Sequence, residues 1–262
     1  MKYSFLVLPL LFLLGCSGLE KTEYNKIRKK NCSGEYIKRS RADKYEIDLV
    51  PSQKKQELYS WEDPNREYLP KITKDFFRCK GNPLNPPNNS LKDCEGSHRH
   101  SLPIIHGKEG IYPILIEVLN YIQTKTKQKV AITCGHRCPK HNAYSQPSKI
   151  KSLHMYGAEV DFYVKGYEDK PLAIIDLIEE YFQRQPRYKN KGLYLNFKRQ
   201  NKKGVQTPQW INKEISITLY LKTEGRDFDN RHPYPYINIQ VNYDRDLNEK
   251  ITTVNNPRYM QW

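Results

Sequence analysis

Between Glu159 and Val164 the chain alternates strictly: Val160, Phe162 and Val164 fall on one side, Glu159, Asp161 and Tyr163 on the other. Successive side chains of a strand point to opposite faces, so this segment predicts a half-buried strand whose polar face gathers two carboxylates. Just upstream runs Ser152-Leu153-His154-Met155-Tyr156-Gly157. Gly157 lets the chain turn, so that the His154 imidazole and the Asp161 carboxylate converge above the sheet. Zinc accepts that pair of ligands, and a catalytic zinc adds a third protein ligand and a water. The competing reading is a loop histidine that hydrogen-bonds and an aspartate that caps nearby backbone.

Other segments carry equally plain periods. Ile111, Leu115, Val118 and Ile122 recur at helical spacing, and Val130 and Ile132 begin a short strand that breaks at Gly135. A polar loop is expected from there to Lys151. Pro171 opens a second amphipathic helix through about Phe182, with Asp169 as its cap. Ile215, Ile217, Leu219 and Leu221 predict a third strand, and Ile237, Ile239, Val241 and Tyr243 a fourth, separated by a charged loop from Thr223 to Pro235. Helices beside a mostly antiparallel sheet make this an α+β chain. The expected divisions are residues 1–15, a leader; 16–45, a polar, Lys-rich flexible tether; 46–105, an irregular N-terminal extension; and 106–262, the folded domain. Within the extension, Gly81 to Ser90 is dominated by Asn and Pro and reads as a loop.

The N-terminal stretch has a positive start, an apolar run from Phe5 to Leu14 and small residues at Gly15-Cys16-Ser17, which describes an export signal too short to span a bilayer stably. Leu13-Leu14-Gly15-Cys16 resembles the bacterial lipobox. The resemblance implies cleavage before Cys16, lipid on its thiol, and a bacterial envelope location with Ser17 compatible with the outer membrane. An oxidising compartment outside the cell interior permits disulfides, and five cysteines remain besides Cys16: Cys32, Cys79, Cys94, Cys134 and Cys138. Cys134 and Cys138 are close enough in sequence to bond across a turn. A four-cysteine zinc site is disfavoured, because no second close pair of cysteines exists. The net charge of +15 favours anionic partners. Its Lys and Arg are scattered instead of gathered on one periodic face, and export argues further against nucleic acid.

Thr133-Cys134-Gly135-His136-Arg137-Cys138-Pro139-Lys140-His141-Asn142, followed by Ser152 to Asp161, resembles the zinc D-alanyl-D-alanine carboxypeptidases, metallopeptidase family fifteen, with their DD-peptidase/hedgehog-type fold. The resemblance spans roughly residues 105 to 245. It implies Zn²⁺ as cofactor, with His154 and Asp161 as the first two ligands. It gives Arg137 the task of holding substrate and the developing oxyanion, and sets Ser152 beside the substrate. The late strand should then supply a third ligand, His. Here that strand reads Pro235-Tyr236-Ile237-Asn238-Ile239-Gln240-Val241, so Asn238 stands at the ligand position, Gln240 at the acidic position and Pro235 where the general base belongs. Glu159 replaces a small Ala. An amide oxygen is a weak zinc ligand beside imidazole. His232, six residues before Asn238, is the candidate substitute ligand if its loop folds back, with Asp227 or Asp229 as base. His98, His100 and His106 read as solvated, and His136 and His141 as loop residues flanking the site.

Two functions follow from the resemblance as expectations. One is a zinc-dependent carboxypeptidase or endopeptidase acting on the peptide stems of peptidoglycan. The other is a catalytically inactive member of that family that binds wall peptides or other anionic envelope polymers. A basic surface contacting host or matrix polymers, which rests on charge alone, is a third.

Overall fold

In the computed structural model, which describes residues 69–105, 107–149 and 151–251, the alternating segments lie side by side in a six-stranded antiparallel sheet. The expected leader, Cys16, the tether, Cys32, the first part of the extension and His106 lie outside the described residues. The described part belongs to one compact unit, Glu57–Trp262.

The strands in chain order are β1 (Ile104–Ile105), β2 (Lys108–Glu109), β3 (Val130–Cys134), β4 (Glu159–Val164), β5 (Lys198–Gln200), β6 (Gln209–Ile211), β7 (Ile215–Tyr220), β8 (Tyr236–Val241), β9 (Tyr243–Asp244) and β10 (Glu249–Lys250). β1–β2 and β9–β10 are two-stranded, and the main sheet runs β3-β4-β8-β7-β6-β5. The α-helices are α1 (Pro113–Thr126), α2 (Pro139–Ser145), α3 (Pro171–Arg184) and the single turn α4 (Gly192–Leu195). The α+β class expected from the sequence is the class observed.

Register explains why the sheet has two chemistries. In β4 and β8, Phe162 opposes Ile237 and Val160 opposes Ile239, and β7 adds Leu219 and Ile217 to the same rows. These side chains join the core with Ile114, Leu115, Val118, Leu119 and Ile122 of α1 and Ile174, Ile175, Ile178 and Phe182 of α3. Burying that apolar face drives association of helices and sheet. The opposite face is polar: Asp161 opposes Asn238, which opposes Thr218, while Glu159 opposes Gln240, which opposes Ser216. An irregularity between Ile132 and Cys134 brings Cys134 opposite Asp161, extending the polar row onto β3.

Several local expectations are corrected. The loop after β3 contains α2, which Cys138 caps by accepting from the His141 backbone N–H. The cap of α3 is Lys170, and it makes no side-chain cap bond, so Asp169 does not serve. The fourth strand ends at Val241, and Tyr243 starts a separate pairing with β10. Residues 69–105 carry two short 3-10 turns and β1, and Ile72, Phe76, Phe77 and Leu102 enter the same core. This segment also covers the outer edge of β3. The His136 N–H donates to the Phe77 carbonyl at 2.6 Å, and Lys80 Nζ donates to the carbonyls of Ile132 and Thr133 at 2.9 and 2.6 Å. An edge strand otherwise offers such groups to foreign chains. Among the described residues no helix is long and apolar enough to cross a membrane.

Candidate functional site

A short 3-10 turn, Leu153–Tyr156, delivers His154 to the polar face. Ser152 caps it, accepting from the His154 N–H, and Gly157 closes it in the left-handed region at φ 67°. A Cβ at Gly157 would also sit 3.1 Å from the Gly110 carbonyl, Ile111 and Pro103, so glycine is required there for space as well as for torsion. His154 Nδ1 donates to the Gly135 carbonyl at 2.7 Å, which leaves Nε2 facing Asp161 Oδ2 at 3.4 Å and Glu159 Oε1 at 3.7 Å. The convergence of His154 and Asp161 expected from the sequence is present, and Glu159 joins it.

The two carboxylates are already supplied with donors. Asn238 Nδ2 donates to Asp161 Oδ1 at 2.6 Å and to Glu159 Oε1 at 2.8 Å, and Gln240 Nε2 donates to Glu159 Oε1 at 2.7 Å. Asn230 Nδ2 donates to Asp161 Oδ2 at 2.8 Å. Glu159 Oε2 accepts from Ser152 Oγ and from the His154 N–H, both at 3.2 Å. Ser152, His154, Glu159, Asp161, Asn230 and Asn238 are all buried. Burial favours the neutral form of each ionisable group, but here the charges answer one another. Burial pushes the His154 pKa down, and Glu159 and then Asp161 outweigh it, so the net shift is upward. Burial likewise pushes Glu159 up, but His154, Lys149, Gln240 and Asn238 hold it well below the usual carboxylate range.

The other residues of the two motifs face elsewhere. Arg137 is buried, and its Nε and Nη2 reach Asp229 Oδ2 and Asp227 Oδ2 at 2.7 and 2.6 Å. The group that the resemblance assigns to substrate thus holds the 223–235 loop, and the two aspartates considered as bases are its partners. Asp229 also takes His141 Nε2 at 3.0 Å, and His141 Nδ1 lies 2.6 Å from Asp93 Oδ1. Burial works against charge on His141, but Asp229 and Asp93 raise its pKa to about 10. His232 does not join His154 and Asp161. Its ring packs against Tyr163, Tyr234 and Tyr236, and burial followed by Arg226 lowers its pKa to about 4. Half-buried Lys149 and Lys202 flank the site, with Lys202 Nζ donating to Tyr220 Oη at 3.0 Å.

Among the described residues three groups of side chains have donor atoms close enough to share a metal ion: Cys134, His154 and Asp161; Asp93, Cys94 and His141; and Cys79, Cys94, His100 and Cys138. The first poorly fits the zinc that the motif resemblance implies. Cys134 Sγ lies 3.4 Å from His154 Nδ1, whereas Asp161 lies at the Nε2 edge, so these donors flank the ring from both sides. Nδ1 is committed to Gly135, and burial raises the Cys134 thiol pKa well above its usual value. Asn238 turns its N–H bonds to the carboxylates, because carboxylates accept and do not donate; its Oδ1, a weak ligand beside imidazole, is buried without a hydrogen-bond partner. The bond expected between Cys134 and Cys138 is replaced by separate environments, Cys134 beside His154 and Cys138 with Cys79 and Cys94.

Asn230 and Asp93 escaped the sequence reading, and His141 was read only as a loop residue flanking the site, since each acts through a partner some fifty to ninety residues away that no local pattern marks. Comparison with family models, curated proteins and solved structures finds no match to this chain.

Proposed function

We propose that this chain is a non-hydrolytic relative of the zinc D-alanyl-D-alanine carboxypeptidases, lipid-anchored through Cys16 in the bacterial envelope, where it binds peptidoglycan peptide stems or other anionic wall polymers. The observation that carries this reading is the Asn238 amide, which donates to both Glu159 and Asp161 at the strand position where the family places its third ligand. Support for kinship comes from the order of helix, strand, two motifs and late strand, and from the direct pairing of Asp161 with Asn238. A zinc hydrolase needs a metal-bound water of lowered pKa and a carboxylate to take its proton. Here Arg137 occupies both Asp227 and Asp229, and the two carboxylates beside His154 are saturated by amides. The motif therefore works as a buried, mutually neutralised network that fixes β4, β8 and the 223–235 loop.

What remains for binding is charge. The net charge is +15, and Lys149 and Lys202 stand half-buried at the rim of the polar face. Stem peptides end in carboxylates, which cations attract most strongly where water is partly excluded. The test is a calorimetric titration of the full-length chain with a stem pentapeptide ending in D-alanyl-D-alanine, with free D-alanine assayed in the same sample. Saturable binding that weakens with salt and with Lys202→Gln, without release of D-alanine, is the expected result. Release that vanishes in His154→Ala would replace this reading with the hydrolase. Absence of binding would remove the wall-peptide partner.

A further inference from the structure

We infer that Cys79, Cys94, His100 and Cys138 form a structural zinc site, separate from the motif at His154 and Asp161. One donor atom from each of the four lies within 4.8 Å of every other. The two closest spacings recorded suit a tetrahedron around one small ion. With Zn–S bonds of about 2.3 Å, two sulfurs on tetrahedral zinc stand roughly 3.8 Å apart. Cys79 Sγ and Cys94 Sγ are 3.8 Å apart, and His100 Nε2 lies 4.0 Å from Cys94 Sγ. A disulfide would instead need its sulfurs about 2 Å apart and would leave the third thiol aside.

The surroundings are arranged as they are around metal thiolates. His100 Nδ1 donates to the Ser101 carbonyl at 3.1 Å, which leaves the lone pair of Nε2 toward the three sulfurs. Backbone N–H groups donate to two of the sulfurs: Gly96 to Cys94 Sγ at 3.4 Å and His141 to Cys138 Sγ at 3.3 Å. A Cβ on Gly81 would fall 1.9 Å from Cys94 Sγ, so the chain between Cys79 and Cys94 reserves a side chain's space for the thiol. All three cysteines are buried. Three thiolates and an imidazole are a soft, closed donor set, which selects zinc over magnesium or calcium and leaves no position for substrate. The overlapping trio of Asp93, Cys94 and His141 offers one donor fewer, and its Asp93 and His141 are bonded to each other.

The site joins stretches that share no sheet. Cys79, Cys94 and His100 belong to the irregular segment before α1, and Cys138 caps α2. Zinc would staple that segment to the helix beside Arg137. This inference stands whether or not the chain binds wall peptides, because it uses none of the residues of that reading.

The test is zinc content of the full-length chain after exhaustive dialysis, together with cobalt substitution of the unmutated protein. About one zinc per chain is expected, retained in His154→Ala and lost in Cys138→Ser. Cobalt should give the intense visible bands of tetrahedral geometry with thiolate charge transfer, a readout that does not depend on any variant folding. Gly81→Ala should weaken retention. Zinc lost from His154→Ala but kept in Cys138→Ser would overturn the inference. So would a cobalt spectrum without thiolate bands, or a metal-free chain with Cys79 and Cys94 joined as a disulfide in mapped peptides.

Discussion

Asn238 presents its two N–H bonds to groups that can only accept, so its identity is set by charge as well as by shape. Asn238→Asp removes both donors and adds a third carboxylate to a buried pair. The expected cost is about 3 kcal/mol or more, read as a lower urea midpoint with unchanged slope. An unchanged midpoint would mean that the network is open to water. His232 makes a second prediction at this scale. Its pKa falls from the ordinary 6.5 to about 4, because burial and then Arg226 disfavour the imidazolium. The unfolded chain therefore binds a proton that the folded chain refuses. Stability present above the unfolded pKa is lost as pH falls from about 6.5 through about 4. His232→Phe keeps a ring among the tyrosines and should flatten that part of the acid limb in urea midpoints measured from pH 7 to pH 4. An identical slope in the variant would contradict the assignment.

At the scale of elements, the 223–235 loop is held to the sheet by charge. Arg137 takes Asp227 and Asp229, Asp227 Oδ1 accepts from Asn230 Nδ2 at 3.0 Å, and Asn230 reaches Asp161. Removing one partner of a buried ion pair strands the others, so Arg137→Ala should cost about 3–5 kcal/mol in chemical denaturation. Arg137→Lys should also destabilise, because an ammonium cannot reproduce the planar fork that serves both aspartates. A loss within 0.5 kcal/mol for either would show that the loop is held by something else. The elements that the sequence made legible are those with a long uniform period. β4, β7 and β8 each alternate over six residues, and their register sets Asn238 opposite Asp161. β5 and β6 have three residues each and β5 is exposed throughout, so no alternation marks them. α2 is seven residues of mostly polar side chains with no apolar stripe, and it reads as loop until Cys138 is seen capping it. His154 and Asp161 were legible because they sit seven positions apart on one turn and the strand that follows it. The cysteine cluster was hidden because its members are spread from residue 79 to residue 138 and its fourth is a histidine, His100, which the sequence alone marks only as a solvated loop residue.

On the scale of the whole molecule, the cysteine cluster and the motif are two ends of one buried polar chain. Cys94 follows Asp93, Asp93 bonds His141, His141 bonds Asp229, and Arg137, Asp227 and Asn230 continue it to Asp161. A metal at the cysteine end would steady the loop that closes the motif end, although it takes no part in chemistry there. The soft, closed donor set thus lies at one end, and a histidine and two carboxylates sealed by amides lie at the other. The most direct measurement of that separation is an anomalous difference map, collected at the zinc absorption edge, from crystals of the full-length chain grown with zinc. The account predicts a peak among Cys79, Cys94, His100 and Cys138, and none between His154 and Asp161. A peak between His154 and Asp161, with the cysteine cluster empty, would contradict it.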